Sequence, residues 1–254
     1  MIIFCHSNLI WIFIEYRLVI KMKAMLLRIG IDKGTDRALG PIFNNRSFEY
    51  IPLSEKDVTT KEQKTFGNTK GQNGVYLSKY LPERIKNRKL HFDPEFETYT
   101  YGDQTVKRNY LLKLEKGDFL VFYAGLTPYK TNAHEEGLYI IGYFQVDTIV
   151  DFNCMNTSQK RALCELYKNN AHIKFNGLED LVIIKGLKET SKLLDKSILI
   201  SKKKLNKIGR KYYVVSPELE ELLGISGSIQ RSIPPRFVRG IHMKNLIQMF
   251  DLNL

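Results

Sequence analysis

Cysteine is scarce, with three among 254 residues. Three cysteines build no disulfide framework, and an odd count suits a reducing cytoplasm. The one long apolar stretch, Ile2 to Ile20, is broken by His6, Ser7, Asn8, Glu15 and Arg17. A membrane helix needs roughly 20 clean apolar residues, and a signal peptide needs a basic segment ahead of its apolar one. Neither condition is met, so no stable membrane association is expected. The motifs Gly-x-Ser-x-Gly, Cys-x-x-Cys and His-Glu-x-x-His are all missing. That removes the nucleophile elbow, the dithiol redox pair and the zincin site. Cys154, Cys164 and His172 fit no compact zinc spacing. No repeat of 20–50 residues and no low-complexity linker divides the chain.

What is abundant is positive charge. Lys plus Arg number 39 against 27 Asp plus Glu, a formal net charge of +12. Such a surplus attracts polyanions, meaning nucleic acid or an anionic surface, without naming a reaction. The bias tightens late in the chain, where residues 185–254 hold 14 basic and 6 acidic side chains. The densest run is Lys202-Lys203-Lys204 with Lys207, Arg210 and Lys211. It reads equally as a solvated lysine face or as a phosphate-tracking one. Arg231, Arg236 and Arg239 are the better phosphate candidates, because guanidinium grips phosphate bidentately.

Residues 1–24 read as an extension outside the domain, and residues 25–254 as the domain itself. Met25-Leu26-Leu27-Arg28-Ile29-Gly30-Ile31 opens like a buried first strand. Further strand-like runs are Phe48–Ile51, Phe119–Tyr123, Leu138–Val146, Leu181–Lys185, Ile198–Ile200 and Lys211–Val215. Helices are expected over Tyr80–Asn87, over Thr157–Asn169 behind an Asn156 or Thr157 cap, over Pro217–Leu223 behind Ser216, and over His242–Phe250. Ser54 to Gly74 has the composition of a long, mobile surface loop. Strands outnumber helices without alternating with them. The fold class is therefore α+β, with a curved, mostly antiparallel sheet or partly open barrel and a few peripheral helices.

Four segments can carry chemistry. In Gly30-Ile31-Asp32-Lys33-Gly34, an acid follows a buried strand, where functional groups often sit. The spacing is neither a dinucleotide-binding pattern nor a phosphate loop, so it names no cofactor. His91-Phe92-Asp93-Pro94-Glu95-Phe96-Glu97-Thr98-Tyr99-Thr100-Tyr101-Gly102-Asp103 packs imidazole, acids and aromatics together. Asp93, Glu95 and Asp103 can serve as general base or metal ligands, and Tyr99 and Tyr101 can stack on bases. A Gly117-Asp118 turn leads into the apolar run ending at Tyr123 and Gly125, positions free to bind. His172 follows the expected Thr157–Asn169 helix; it is a catalytic candidate, though a lone histidine there is more often structural.

Two resemblances follow. Gly117-Asp118-Phe119-Leu120-Val121-Phe122-Tyr123 with Tyr139-Ile140-Ile141-Gly142-Tyr143-Phe144 looks like the core of the PUA-like class, which includes EVE, ASCH and YTH domains. That resemblance implies a small curved barrel with an aromatic pocket for a base. Gly30-Ile31-Asp32, Gly40-Pro41-Ile42-Phe43, Phe48-Glu49-Tyr50-Ile51-Pro52-Leu53, Asp93-Pro94-Glu95-Phe96, Thr100-Tyr101-Gly102-Asp103, Phe122-Tyr123-Ala124-Gly125-Leu126 and Tyr139-Ile140-Ile141-Gly142 together resemble the nucleotide modification associated domain, type three, from Met25 almost to the C-terminus. This implies a place beside prokaryotic and phage systems that modify DNA bases, with DNA or a nucleotide as partner and modification enzymes encoded alongside. It supplies no mechanism and no cofactor.

Two functions are in competition. A binding module would stack Tyr99, Tyr101 and Tyr123 on a modified base and hold phosphates with the three arginines. An enzyme, base-modifying or a metal-dependent nuclease, would gather Asp32, Asp93, Glu95, Asp103 and His172 in one cleft. Space decides between them: carboxylates meeting in a cleft favour the enzyme, and tyrosines forming a cage beside a basic face favour the module. A membrane-tethered basic protein is a third reading, resting on residues 1–20 alone.

Overall fold

In the computed structural model, residues 19, 21–34, 36–55, 59–175 and 177–252 are described. The apolar run of the expected extension lies almost wholly outside them. Strand β1 spans Lys23–Ile29. No helix among the described residues is long and apolar enough to cross a membrane.

The centre of the fold is a hairpin of β6 (Phe119–Pro128) and β7 (Gly137–Asp151). Both are apolar without alternation, and Phe119 to Leu126 is buried at every position. Such runs bury both faces of a sheet. β1 lies parallel to β6, pairing Ala24 with Phe119 and Ile29 with Ala124. On its other side β1 pairs antiparallel with β12 (Arg236–Arg239). β7 is long enough to serve two neighbours. Its first half pairs with β9 (Lys192–Leu199) and its second with β8 (Val182–Gly186), which pairs in turn with β5 (Thr100–Asp103). β2 (Gly40–Ile42) runs parallel to β6. The result is an eight-stranded sheet with ends at β12 and β5, open rather than closed into a barrel. The class is α+β, with few helices. Two two-stranded sheets stand apart: β3 (Leu53–Ser54) with β4 (Leu90–His91), and the hairpin of β10 (Ser201–Leu205) and β11 (Lys211–Val215).

Helix ends follow their local chemistry. Asn156 and Gln159 form a reciprocal capping box at 2.9 Å each way, starting Thr157–Leu166. Ser216 caps Pro217–Leu223, and Gly224 closes it in the left-handed region at φ 62°. His242–Met249 packs Met243, Leu246 and Ile247 inward. Tyr80–Asn87 differs from expectation. It forms 3-10 turns at Leu77–Tyr80 and Glu83–Ile85, because Pro82 stops the first and starts the second. Phe48–Ile51 makes only an isolated bridge at Phe48. Two short helices, Arg108–Leu111 and Ala171–Phe175, carry no periodic signal.

Of the Ser54–Gly74 stretch, residues 59–74 are anchored rather than loose. Phe66 is fully buried, and Glu62 accepts from Lys174 Nζ at 2.6 Å. The buried Glu49 carboxylate accepts the backbone N–H of Gln72 at 2.6 Å and of Asn73 at 2.8 Å. Burial raises the Glu49 pKa against the pull of those N–H groups. A Cβ at Gly71 would fall 2.0 Å from the same carboxylate, so only glycine fits. Three apolar clusters result. One surrounds β6 and β7, one lies under the 66–90 segment, and one lies beneath Thr157–Leu166.

Candidate functional site

The three clusters meet at a polar cleft. Leu90 of the second cluster precedes His91, Ile173 of the third follows His172, and Ile29 and Tyr101 belong to the first. The cleft encloses about 190 Å³ and is lined by Arg28, His91, Asp93, Asp103, Lys107, His172 and Arg231, among others. β1 delivers Arg28 at its end, β4 delivers His91, β5 delivers Asp103, and Ala171–Phe175 delivers His172. His91 ends β4, and a tight turn in which the Asp93 N–H donates to the His91 carbonyl at 3.0 Å brings Asp93 next to it.

Each acid is held by donors. Asp93 Oδ1 accepts the Gly102 N–H at 2.9 Å, while Oδ2 faces His172 Nε2 at 3.4 Å. Asp103 Oδ1 accepts the Thr105 N–H at 2.7 Å, and its Oδ2 accepts the Tyr101 hydroxyl at 3.0 Å. Burial beside Asp103 and Asp93 lifts the Tyr101 pKa far above its ordinary value, so its hydroxyl stays a donor. Gln104 Nε2 donates to the carbonyls of Gly177 and Glu179, which aims Oε1 at His172 Nδ1, 3.0 Å away. Nδ1 therefore carries a proton. Burial presses the His172 imidazole toward neutrality. Its hydrogen bond to Asp93 and the nearby charges of Asp93, Asp103 and Glu55 outweigh that and raise its pKa. The Lys107 pKa moves down: burial lowers it, Asp103 opposes, and Arg231 adds to the fall. Arg28 Nε is buried with no partner among the described residues.

Arg28 and Arg231 also line a second, larger cavity of about 470 Å³, bounded further by Lys33, Leu39, Lys211, Tyr212 and Tyr213. That size suits a small organic ligand. Lys33 bonds Glu136 at 2.7 Å across its mouth. Burial pushes the Tyr213 hydroxyl up to about 12, with Glu136 adding to the rise.

The residues singled out from sequence divide three ways. Asp93, Asp103 and His172 converge in the smaller cleft. Asp32 stands one step away, in the larger cavity, where its Oδ2 accepts from Arg231 Nε and its Oδ1 accepts from the Gly34 N–H at 2.8 Å. Glu95 does not join them. Its carboxylate turns back to accept the N–H groups of Glu97 and Thr98 and the Thr98 hydroxyl, closing its own loop.

The tyrosines form no cage. Tyr123 is buried and donates to the Ile229 carbonyl at 3.0 Å. Tyr101 is buried too, and Tyr99 packs edge-on against Phe144 under Lys185. The arginines form no common face. Arg231 holds Asp32 and the carbonyls of Ile29 and Gly30. Arg236 donates to the Ser228 carbonyl at 3.2 Å. Arg239, three along the strand and exposed, lies over Phe237.

Sequence reasoning passed over Arg28 and Lys107 as site residues and noted His91 only for its titration. The His-x-Asp spacing was the available signal for His91. Arg28 inside an apolar strand was the signal for itself, since an unpaired cation is rarely buried. Lys107 had none.

No curated protein and no solved structure matches the chain. The profile of the family described as nucleotide modification associated domain 3 matches residues 23–215. That stretch holds every cleft residue named above except Arg231. The chain belongs to the nucleotide modification associated domain 3 family, and its role is linked to nucleotide modification.

Proposed function

We propose that the protein is an enzyme that processes a nucleotide or a base within DNA, using the smaller cleft as its reaction centre. The observation that carries this reading is the meeting of Asp93, Asp103, His91, His172 and Lys107 in one cavity. Acids, imidazoles and a lysine of lowered pKa at one point supply candidate general acid and base groups. A recognition module needs no such collection, and the buried tyrosines leave it no stacking cage.

The larger cavity is the substrate pocket in this reading. Arg28 and Arg231 belong to both cavities and hold a phosphate at the passage between them. Tyr212 and Tyr213 line the wall where a base would lie, and Lys33 and Lys211 favour an anion. Recognition of a modified base without chemistry is the second reading; the net charge of +12 favours it equally.

The test is mass spectrometry of nucleosides after DNA and free nucleotides are incubated with the full chain, with Asp103→Asn and with Lys107→Met. A new or missing nucleoside that depends on both side chains supports the enzyme. Tight binding with no conversion by the wild-type chain leaves the recognition module.

A further inference from the structure

We propose that His91, Asp93 and His172 bind a divalent transition-metal ion, with a coordination position left open to the cleft. As the cofactor of the reaction centre, the ion rests on the reading above; as a metal site, it rests on geometry alone. One donor atom from each of the three residues lies within 4.8 Å of the others.

Each ligand has its other polar atom engaged. His91 Nδ1 lies 2.8 Å from Glu55 Oε2, a carboxylate that can only accept while ionised. His91 therefore holds its proton on Nδ1 and offers the lone pair of Nε2. His172 Nδ1 is fixed the same way by Gln104, whose amide is oriented by two carbonyls. Asp93 Oδ1 is occupied by the Gly102 N–H and, at 3.5 Å, by Asn170 Nδ2, which leaves Oδ2. Without a metal, a proton on His172 Nε2 is shared with Asp93 Oδ2. An ion that displaces that proton meets two imidazole lone pairs and a carboxylate oxygen at one point. An acceptor on the far nitrogen of each ligating histidine is the usual support of a metal site.

The spacing fits a small ion. At metal–ligand distances of about 2.0–2.2 Å, neighbouring donors of a tetrahedral site stand roughly 3.4 Å apart. His172 Nε2 and Asp93 Oδ2 are already 3.4 Å apart. His91 has to move in by at most about 1.4 Å to join them, a shift its 21% exposed side chain allows. Imidazole ligands select zinc, iron, cobalt or nickel over magnesium, which prefers oxygen throughout. With three protein ligands, water or a substrate oxygen can take the remaining position.

The full chain, stripped by a chelator, is titrated separately with Zn²⁺, Co²⁺ and Mg²⁺ by calorimetry, and bound metal is counted by elemental mass spectrometry. About one Zn²⁺ or Co²⁺ per chain is expected, with no saturable Mg²⁺. His91→Gln with Asp93→Asn should weaken Zn²⁺ binding beyond the loss from one supporting contact, which is about 10- to 100-fold. Should that variant fail to fold by circular dichroism, Glu55→Gln and Gln104→Leu carry the test, each expected to weaken Zn²⁺ about 10- to 100-fold. A folded wild-type chain that binds neither Zn²⁺ nor Co²⁺ overturns the site, because a proton shared by His172 and Asp93 then suffices. Unchanged affinity in the folded variants overturns it as well. Metal binding without nucleotide conversion leaves the site standing and removes the enzyme reading. Conversion that survives complete metal removal keeps the enzyme reading and overturns the ion's role as its cofactor.

Discussion

The lysine hairpin and the polar cleft are the two places where charge collects, and they are built in opposite ways. Lys202, Lys203 and Lys204 sit side by side in sequence on β10 and are all exposed. The cleft takes Arg28, His91, Asp93, Asp103, Lys107, His172 and Arg231 from segments far apart and closes them in at the meeting of three apolar clusters. Exposed lysines have almost nothing to hold them in place and act as a diffuse field. In the cleft, His91, Asp93, Asp103 and His172 are each tied by a second contact, which is how reacting groups are positioned. Density of charge along the sequence therefore points to the hairpin, while density in space points to the cleft.

The largest effect should come from Asp93→Ala. It removes the acceptor of the Gly102 N–H and the partner of His172 together. Nucleotide conversion should fall about 100- to 10,000-fold, the range for loss of an acid–base group. Conversion at the wild-type rate would place the chemistry elsewhere.

Gly102→Ala acts on the same centre without removing a polar group. The new Cβ would fall 2.7 Å from His172 Cδ2. Displacing an imidazole by about 1 Å should lower turnover about 100-fold. Overpacking should cost about 1–3 kcal/mol in a denaturant titration. A variant that is stable, active and unchanged in pH profile would show that His172 has no positional role.

The hairpin should respond differently. Replacing Lys202, Lys203 and Lys204 with Gln should leave stability within about 0.5 kcal/mol. If this face tracks phosphates, the dependence of DNA affinity on salt should flatten by about one unit of slope per lysine contact. An unaltered slope would confine the anion role to the cavities.

The effect farthest from the cleft is on acid stability. Burial opposes ionisation of Glu62, but Lys174 and the backbone N–H groups of Lys64 and Gln63 outweigh it and lower its pKa. A depressed carboxylate contributes stability above its unfolded pKa and loses it as pH falls through the folded value. Wild type should therefore lose more stability than Glu62→Gln on acidification through and below the ordinary glutamate range. The difference, about 1–3 kcal/mol, is readable by thermal melts across pH. Equal losses would show that the Glu62–Lys174 contact does not hold the loop to the helix.

Much of the fold was legible because its signals are local. The unbroken apolar runs of β6 and β7, the Asn156 box and the Ser216-Pro217…Gly224 frame each state their structure within about a dozen residues. The site was legible only in part. Asp93, Asp103 and His172 stood out by chemical type, and so did Glu95, which differs from them in nothing but the direction its carboxylate takes. Tyr123 reads as a strand-end residue free to bind, yet β12 and the segment before it cover its hydroxyl.

By itself the sequence determined the long central strands β1, β6, β7 and β8, the caps at Asn156 and Ser216, the excess of positive charge and the family. All of these depend on neighbours along the chain or on simple totals. The tertiary structure decided which polar groups meet. Asp32 and Arg231 are 199 residues apart, and Asp93 and Asn170 are 77 apart. Such encounters are set by how β1, β5 and β8 register across the sheet and by where the short His172 helix docks. Neither is encoded in any period of the sequence, because each results from packing the three apolar clusters against one another.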